Sequence, residues 1–333
     1  MNGRGKMMTK HIKTNGRKSS AIQRIKQTRG QTKQKVPRGF KSLIVPIDFS
    51  ETSIRALDYA LVLALEFGSQ IHLVHVLEFP AVFNSTSQPS YAIWDKEVKR
   101  SASARLDELV DEKADALISA NSEVCFGRAY QAICDAAQKQ KADLIVIGTH
   151  GFTGLKHLLL GSTAERVIRH APCSVLVVHK QTGRNAKPLL KPKKILVPTD
   201  FSKPAEQALQ SAITLARQHQ AQIHLLYVVP IHYAVGDYDL MDYAILAAEQ
   251  KEEGQKHLTA LSKKLVAQNI PVTAGVRHGR PAVEINEAAA ELDCDLIVIS
   301  THGRTGWNHA LLGSTTEETV RHASCPVLVV RNS

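Results

Sequence analysis

From residue 41 onward the chain alternates two hydrophobic periods. Lys41-Ser-Leu-Ile-Val-Pro-Ile47, Gln70-Ile-His-Leu-Val-His-Val76 and Asp143-Leu-Ile-Val-Ile147 carry short, β-branched apolar runs of strand length. Between the first two, Ile54, Leu57, Leu61 and Leu65 recur at helical spacing, with Ser50 to start that helix and Gly68 to end it. The same reading predicts a polar segment through Pro89, a helix over 92–120, a strand over 123–126 and a helix over 129–139. A helix over 162–170 and a last strand over 174–178 follow. Strands alternating with helices predict right-handed βαβ crossovers, hence an α/β fold: an open parallel sheet with helices on both faces.

The pattern then restarts. A basic linker, 181–192, interrupted by Pro188 and Pro192, leads into Lys194-Ile-Leu-Val-Pro198. Asp48 and Asp200, Val76 and Val228, Gly127 and Gly279, Gly151 and Gly303, and Gly161 and Gly313 are each 152 residues apart. A constant offset means a whole domain was duplicated without net insertion, a period far longer than that of a solenoid. The predicted organisation is a tail over 1–40, one domain over 41–180, the linker, and a second domain over 193–333.

Charge changes the picture only at the N-terminus. The net charge is +11, yet residues 1–40 hold twelve Lys and Arg and no acidic residue. Removing those twelve from the 42 basic residues leaves 30 against 31 acidic ones, so the predicted domains have no basic footprint for nucleic acid. The tail is expected to be disordered. It reads as a solvated extension, or as a basic arm for nucleic acid or an anionic surface. No apolar run approaches the ~20 residues of a membrane span. The five cysteines are scattered with no C-x-x-C. A soluble, cytoplasmic protein without zinc or disulfide framework is expected.

The candidate chemistry lies after the fourth strand. Gly148-Thr-His150-Gly151-Phe-Thr-Gly154 leads to Gly161-Ser162-Thr163, and Ser300-Thr-His302-Gly303 leads to Gly313-Ser314-Thr315. A strand, a glycine-rich loop and a helix start together present backbone N–H groups and a positive helix end to an anion. Ser162-Thr-Ala-Glu165 and Ser314-Thr-Thr-Glu317 have the spacing of capping boxes. Packing needs one or two glycines in such a connection, and each costs about 0.5–1 kcal/mol relative to alanine. At the end of strand one, Pro46-Ile47-Asp48-Phe-Ser50 and Pro198-Thr199-Asp200-Phe-Ser202 set an aspartate just before a helix cap. With Ser50 and Ser202 as caps, the carboxylates are left to accept from a ribose hydroxyl or an adenine amine. Val76 and Val228 end strand two, where an apolar side chain can lie against a base. His150 and His302 read as loop-shaping or phosphate-contacting groups. A Walker A loop would need Lys where Ser162 stands, and Lys156 is Asn308 in the second copy. No constellation for in-line phosphoryl transfer is evident.

Gly148, Gly151, Gly161 and Ser162 fit the pattern G-x2-G-x9-G-[ST]. With Pro-x-Asp-Phe-Ser and the last strands Ser174-Val-Leu-Val-Val178 and Pro326-Val-Leu-Val-Val330, the chain resembles a tandem universal stress protein over 41–180 and 193–331. The resemblance implies a Rossmann-like nucleotide-binding fold in each copy, with five parallel strands in the order 3-2-1-4-5. It implies ATP, with or without Mg2+, held by Asp48, Val76, Gly148, Gly151, Gly161 and Ser162, and by Asp200, Val228, Gly303, Gly313 and Ser314. Pro46, Ile47, His150 and Thr163, and Pro198, Thr199, Ser300, His302 and Thr315, complete the expected nucleotide sites. It further implies intramolecular pairing through the last strands, with a homodimer as an alternative. Ser300 departs from the pattern; if the first glycine needs a positive φ, serine is unfavourable there and the second site is weakened. The expected function is a stress-response protein acting as an adenine-nucleotide-dependent module, with slow hydrolysis at most. The alternatives are a slow ATPase or phosphotransferase, and an interaction protein with vestigial sites.

Overall fold

A computed structural model describes residues 39–78, 89–113, 117–149, 160–179, 191–231, 240–303 and 312–331. The first half runs β1 (Ser42–Pro46), α1 (Glu51–Phe67), β2 (Gln70–Leu77), α2 (Pro89–Lys113) and β3 (Ala120–Phe126). It continues with α3 (Ala129–Lys139), β4 (Leu144–Gly148), α4 (Ser162–His170) and β5 (Ser174–Val178). The second half repeats the series: β6 (Lys194–Pro198), α5 (Lys203–His219), β7 (Gln222–Pro230), α6 (Leu240–Val266) and β8 (Val272–Gly279). Then come α7 (Pro281–Glu291), β9 (Leu296–Ser300), α8 (Ser314–His322) and β10 (Val327–Val330). No helix of the described residues is long and apolar enough to cross a membrane.

Each half is an α/β unit with a parallel sheet in the order 3-2-1-4-5. Covered on both faces, the central strands are apolar throughout: Leu43, Ile44 and Val45 are fully buried, and β4 and β9 are buried along their whole length. Right-handed crossovers put α1, α2, α5 and α6 on one face and the other four helices on the opposite face. α1 begins where Ser50 accepts the Ser53 N–H at 3.2 Å. It ends at Gly68, whose left-handed φ of 70° lets its N–H return to the Ala64 carbonyl.

Two boundaries differ from the sequence pattern. The helix expected over 92–120 is Pro89–Lys113, and the strand expected from 123 starts at Ala120. β3 pairs residue by residue with Ile71–Leu77 of β2, and that ladder draws Ala120–Ser122 out of the helical pattern.

The two sheets are one. Antiparallel pairing of β5 with β10 gives the order β3-β2-β1-β4-β5-β10-β9-β6-β7-β8. Leu176 faces Leu328 across this seam, and these are equivalent residues of the two halves, so a local two-fold axis runs between them. After β10, Arg331 donates to the carbonyls of Ile168 and Arg169 at the end of α4, at 3.3 and 3.0 Å. After β5, the matching residue His179 lies 2.7 Å from the Val320 carbonyl at the end of α8. On the same face Arg169 pairs with Glu165 and Glu317 at 3.2 and 3.3 Å, and Arg321 pairs with Glu317 at 3.0 Å. On the opposite face Glu66 of α1 meets His219 of α5 at 3.4 Å, their side chains 7% and 2% exposed.

Candidate functional site

The site lies beyond the carboxyl ends of the strands, where the order reverses between β1 and β4. Two turns build it. In the first, Asp48 follows β1 and its Oδ1 accepts from the Ser50 N–H at 3.0 Å and the Ser50 hydroxyl at 2.6 Å. Asp200 accepts from the Ser202 N–H at 3.0 Å. The aspartates therefore close the turn as well as lining a crevice; they are not left over as the spacing suggests. Between aspartate and cap, Phe49 and Phe201 take φ of 62° and 64°, a conformation uncommon for a bulky side chain. Phe49 packs 5.1 Å from His75 under the Arg105 guanidinium, and Phe201 lies 4.9 Å from Tyr227 and 4.8 Å from His257.

The second turn is the glycine loop. Both of its ends are fixed in both halves. Thr149 donates its N–H to Val178 and accepts the Gly161 N–H at 2.7 Å; Thr301 donates to Val330 and accepts the Gly313 N–H at 2.9 Å. His150, Gly151 and Gly154 between these anchors lie outside the described residues. A Cβ on Gly148 would stand 2.9 Å from the backbone of Thr52, and one on Gly303 would stand 2.6 Å from the Asp200 carboxylate. At Gly148 the obstacle is backbone, so glycine is needed there for close approach; at Gly303 it is the end of a side chain that can turn aside. Neither Gly148 nor Ser300 has a positive φ, so the conformational objection to Ser300 falls away. Its hydroxyl donates to the His302 carbonyl at 2.8 Å, and the Thr316 hydroxyl donates to the Ser300 carbonyl at 2.8 Å.

The helix starts also differ from the pattern. Gly161 and Gly313 are the N-caps, in extended conformation with no side-chain cap, and Ser162 and Ser314 are the first helical residues. Glu165 does not reach back to form a capping box. It extends to Arg169 and Arg321 at the seam, as Glu317 does. The first N–H groups of α4 and α8 thus lack the side-chain oxygen that caps α1.

Each turn pair encloses a cavity. The first, about 300 Å³, is lined by Pro46, Ile47, Asp48, Val76, Gly148, Gly161, Ser162 and Thr163. The second, about 470 Å³, is lined by Pro198, Thr199, Asp200, Val228, Ser300, His302, Gly303, Gly313, Ser314 and Thr315. The described candidate residues of each half therefore share one cavity. The cysteines line neither cavity, and burial pushes Cys134 and Cys294 up to about 11 and Cys173 and Cys325 up to about 12.

The family model of the universal stress protein family matches residues 39–179 and again 191–331. The chain belongs to this family. A universal stress protein of Methanocaldococcus jannaschii is 37% identical over 139 residues, 42% of this chain and 82% of that protein. One of Mycobacterium tuberculosis is 26% identical over 306 residues, 89% of this chain and 99% of the relative. Among solved structures, a universal stress protein of Archaeoglobus fulgidus superposes with a TM-score of 0.64 at 22% identity, covering 88% of this chain and 96% of that one. That last likeness concerns the fold.

Within the two universal stress protein repeats, several lining residues escaped the sequence reading. Glu78, Ser53, Thr149, Ala129 and Ile133 help complete the first cavity, and Gln250, Tyr227, Pro230, Pro281 and Thr316 the second. Ile133 could have been found from the apolar stripe of α3. Glu78 and Gln250 had no local signal, since a polar residue at a strand end or on a helix reads as solvated.

Proposed function

We propose that the protein binds an adenine nucleotide, ATP foremost, in the crevice of one or both repeats and acts as a nucleotide-dependent regulatory module in the cytoplasm. One observation carries this reading: in each repeat an uncapped helix N-terminus and a strand-end aspartate line the same cavity. The N–H groups of Ser162, Thr163 and Ala164 are donors for phosphate oxygens. The apolar end, formed by Val74, Val76 and Ile133, takes the base. Backbone polarity supports that placement. The Val74 carbonyl accepts from Ile47 on the β1 side, so two residues on, the N–H and carbonyl of Val76 face the crevice past the end of β1. The helix end contributes only about 0.3–1 kcal/mol. Micromolar affinity needs about −8 kcal/mol, so several N–H donors and burial of the base must act together. Among the described residues no three His, Cys, Asp or Glu side chains are grouped to hold a metal. Mg2+ bound with the nucleotide would be carried chiefly by its phosphates and water.

In this reading the repeats work as an intramolecular pair through β5 and β10. The accommodation of Ser300 favours a working second site over a vestigial one. Calorimetric titration with ATP, after removal of co-purified nucleotide, tests the proposal. Asp48→Asn keeps an oxygen for the Ser50 N–H yet removes the charge, and should weaken ATP at the first site about 10-fold. Asp200→Asn should do the same at the second. Absence of binding at millimolar ATP would overturn the reading; ATP turnover that survives weakened affinity would favour an enzyme.

A further inference from the structure

The two cavities differ where β2 ends against the start of α3. There, one residue past β2, Glu78 lines the first cavity and its Oε1 accepts the Ala129 N–H at 2.7 Å. Arg128, the N-cap of α3, makes no side-chain cap bond, so the carboxylate serves in its place. The matching residues of the second repeat are Pro230 and Pro281, and both line its cavity. Proline has no N–H, so α7 needs no acceptor at that point, and none is supplied. Carboxylate and N–H have been exchanged together for two rings.

Capping alone would occupy one acceptor site of a carboxylate that has about four. Glu78 stands on the same face of the chain as Val74 and Val76, whose side chains form the apolar end of the cavity. With phosphates at Ser162, a purine lying on those valines turns its exocyclic edge toward Glu78. A carboxylate only accepts, so it favours a purine that carries an amino group at that edge.

We propose that Glu78 is a base-specificity residue, accepting a hydrogen bond from the exocyclic amine of a purine in the first cavity, while Pro230 and Pro281 give the second cavity no side-chain acceptor for that group. The proposal rests on the nucleotide reading above. It predicts two classes of site in one chain: an amino-purine site and a more permissive one.

Titration of the full chain with ATP and with purine riboside triphosphate, which carries a hydrogen in place of the amine, tests it. One site should prefer ATP about 10-fold, because the analogue offers Glu78 no donor and a hydrogen bond to a charged group is lost. At the other site, where only the backbone of Val228 is left to read that edge, the preference should be clearly smaller. Glu78→Gln keeps an oxygen for the Ala129 N–H and adds an amide donor, so the preference should fall to parity or reverse at that one site. The ratio is diagnostic, since any general charge effect acts on both triphosphates alike. Pro230→Glu with Pro281→Ala should confer the preference on the second site. If both nucleotides bind and Glu78→Gln leaves every ratio unchanged, the role of Glu78 is overturned and nucleotide binding stands. If neither nucleotide binds the wild-type chain, the nucleotide reading fails and this proposal with it.

Discussion

In the first repeat β4 ends on Gly148, where a Cβ would press on Thr52; in the second β9 ends on Ser300, and the position matching Thr52 is Pro204. His75 of the first repeat is Tyr227 in the second. A Cβ on Gly254 would stand 2.2 Å from the Tyr227 ring, and the residue matching Gly254 is Ala102. Glu78 and Ala129 become Pro230 and Pro281. The backbone frame is common to both repeats, down to the positive φ of Phe49 and Phe201. What has drifted are side chains, and they have drifted in pairs. Interiors are close-packed, so a change on one wall is tolerated when the facing wall changes too.

Exchanging single members of these pairs should break the comparison. Gly148→Ser puts a side chain against Thr52 without the accompanying change, and should cost about 1–3 kcal/mol in urea unfolding. The reciprocal Ser300→Gly loses one hydrogen bond and some backbone restriction, about 0.5–1.5 kcal/mol. Equal costs would mean that the two strand ends are not differently packed. The seam gives a smaller contrast. Arg331→Ala removes a cation from two helix-end carbonyls and should cost about 1–2 kcal/mol. His179→Ala removes the bond to the Val320 carbonyl of α8 and should cost about 0.5–1.5 kcal/mol in the same assay.

The smallest effect is a slope. Burial pushes Glu66 up from 4.5 to about 7 and His219 down from 6.5 to about 4, with the Lys191 charge opposing the first shift and adding to the second. Folded Glu66 holds a proton that the unfolded chain releases, so its contribution to stability fades as pH rises from 4.5 to about 7. Folded His219 refuses a proton that the unfolded chain takes, so its contribution fades as pH falls from 6.5 to about 4. Between 4.5 and 6.5 the two oppose each other, and the melting temperature should be nearly flat. Their counterparts across the local two-fold are Gln218 and Phe67. Glu66→Gln should leave only the rise with pH, and His219→Phe only the fall. A flat profile in both variants would show that the pair does not titrate as a buried unit.

The duplication, the order of elements and the strand ends that form the crevice were legible because each depends on local period and on repetition. Landmarks such as Asp48 and Gly161 recur at one offset, and the residues so marked converge on one cavity per repeat. Other features could not be read locally. Serine is the ordinary cap, so Ser162 looked like one; that Gly161 takes the position follows from its N–H being held by Thr149, a contact closed over the intervening loop. The role of Gly148 is set by Thr52, nearly a hundred residues away in sequence. Glu66 and His219 each look like helix boundary residues, and only the joined sheet brings them together.

His179 and Arg331 hold matching places, yet each closes the last helix of the other repeat rather than its own. Neither half is therefore self-sufficient at its final helix, although each has a whole cavity to itself. Severing the stretch that joins them would not by itself part them, and halves made as two separate polypeptides would have reason to reassemble. Once such an exchange of ends is in place, losing either copy also strips the survivor of a contact, which tends to preserve both even where only one pocket is in use.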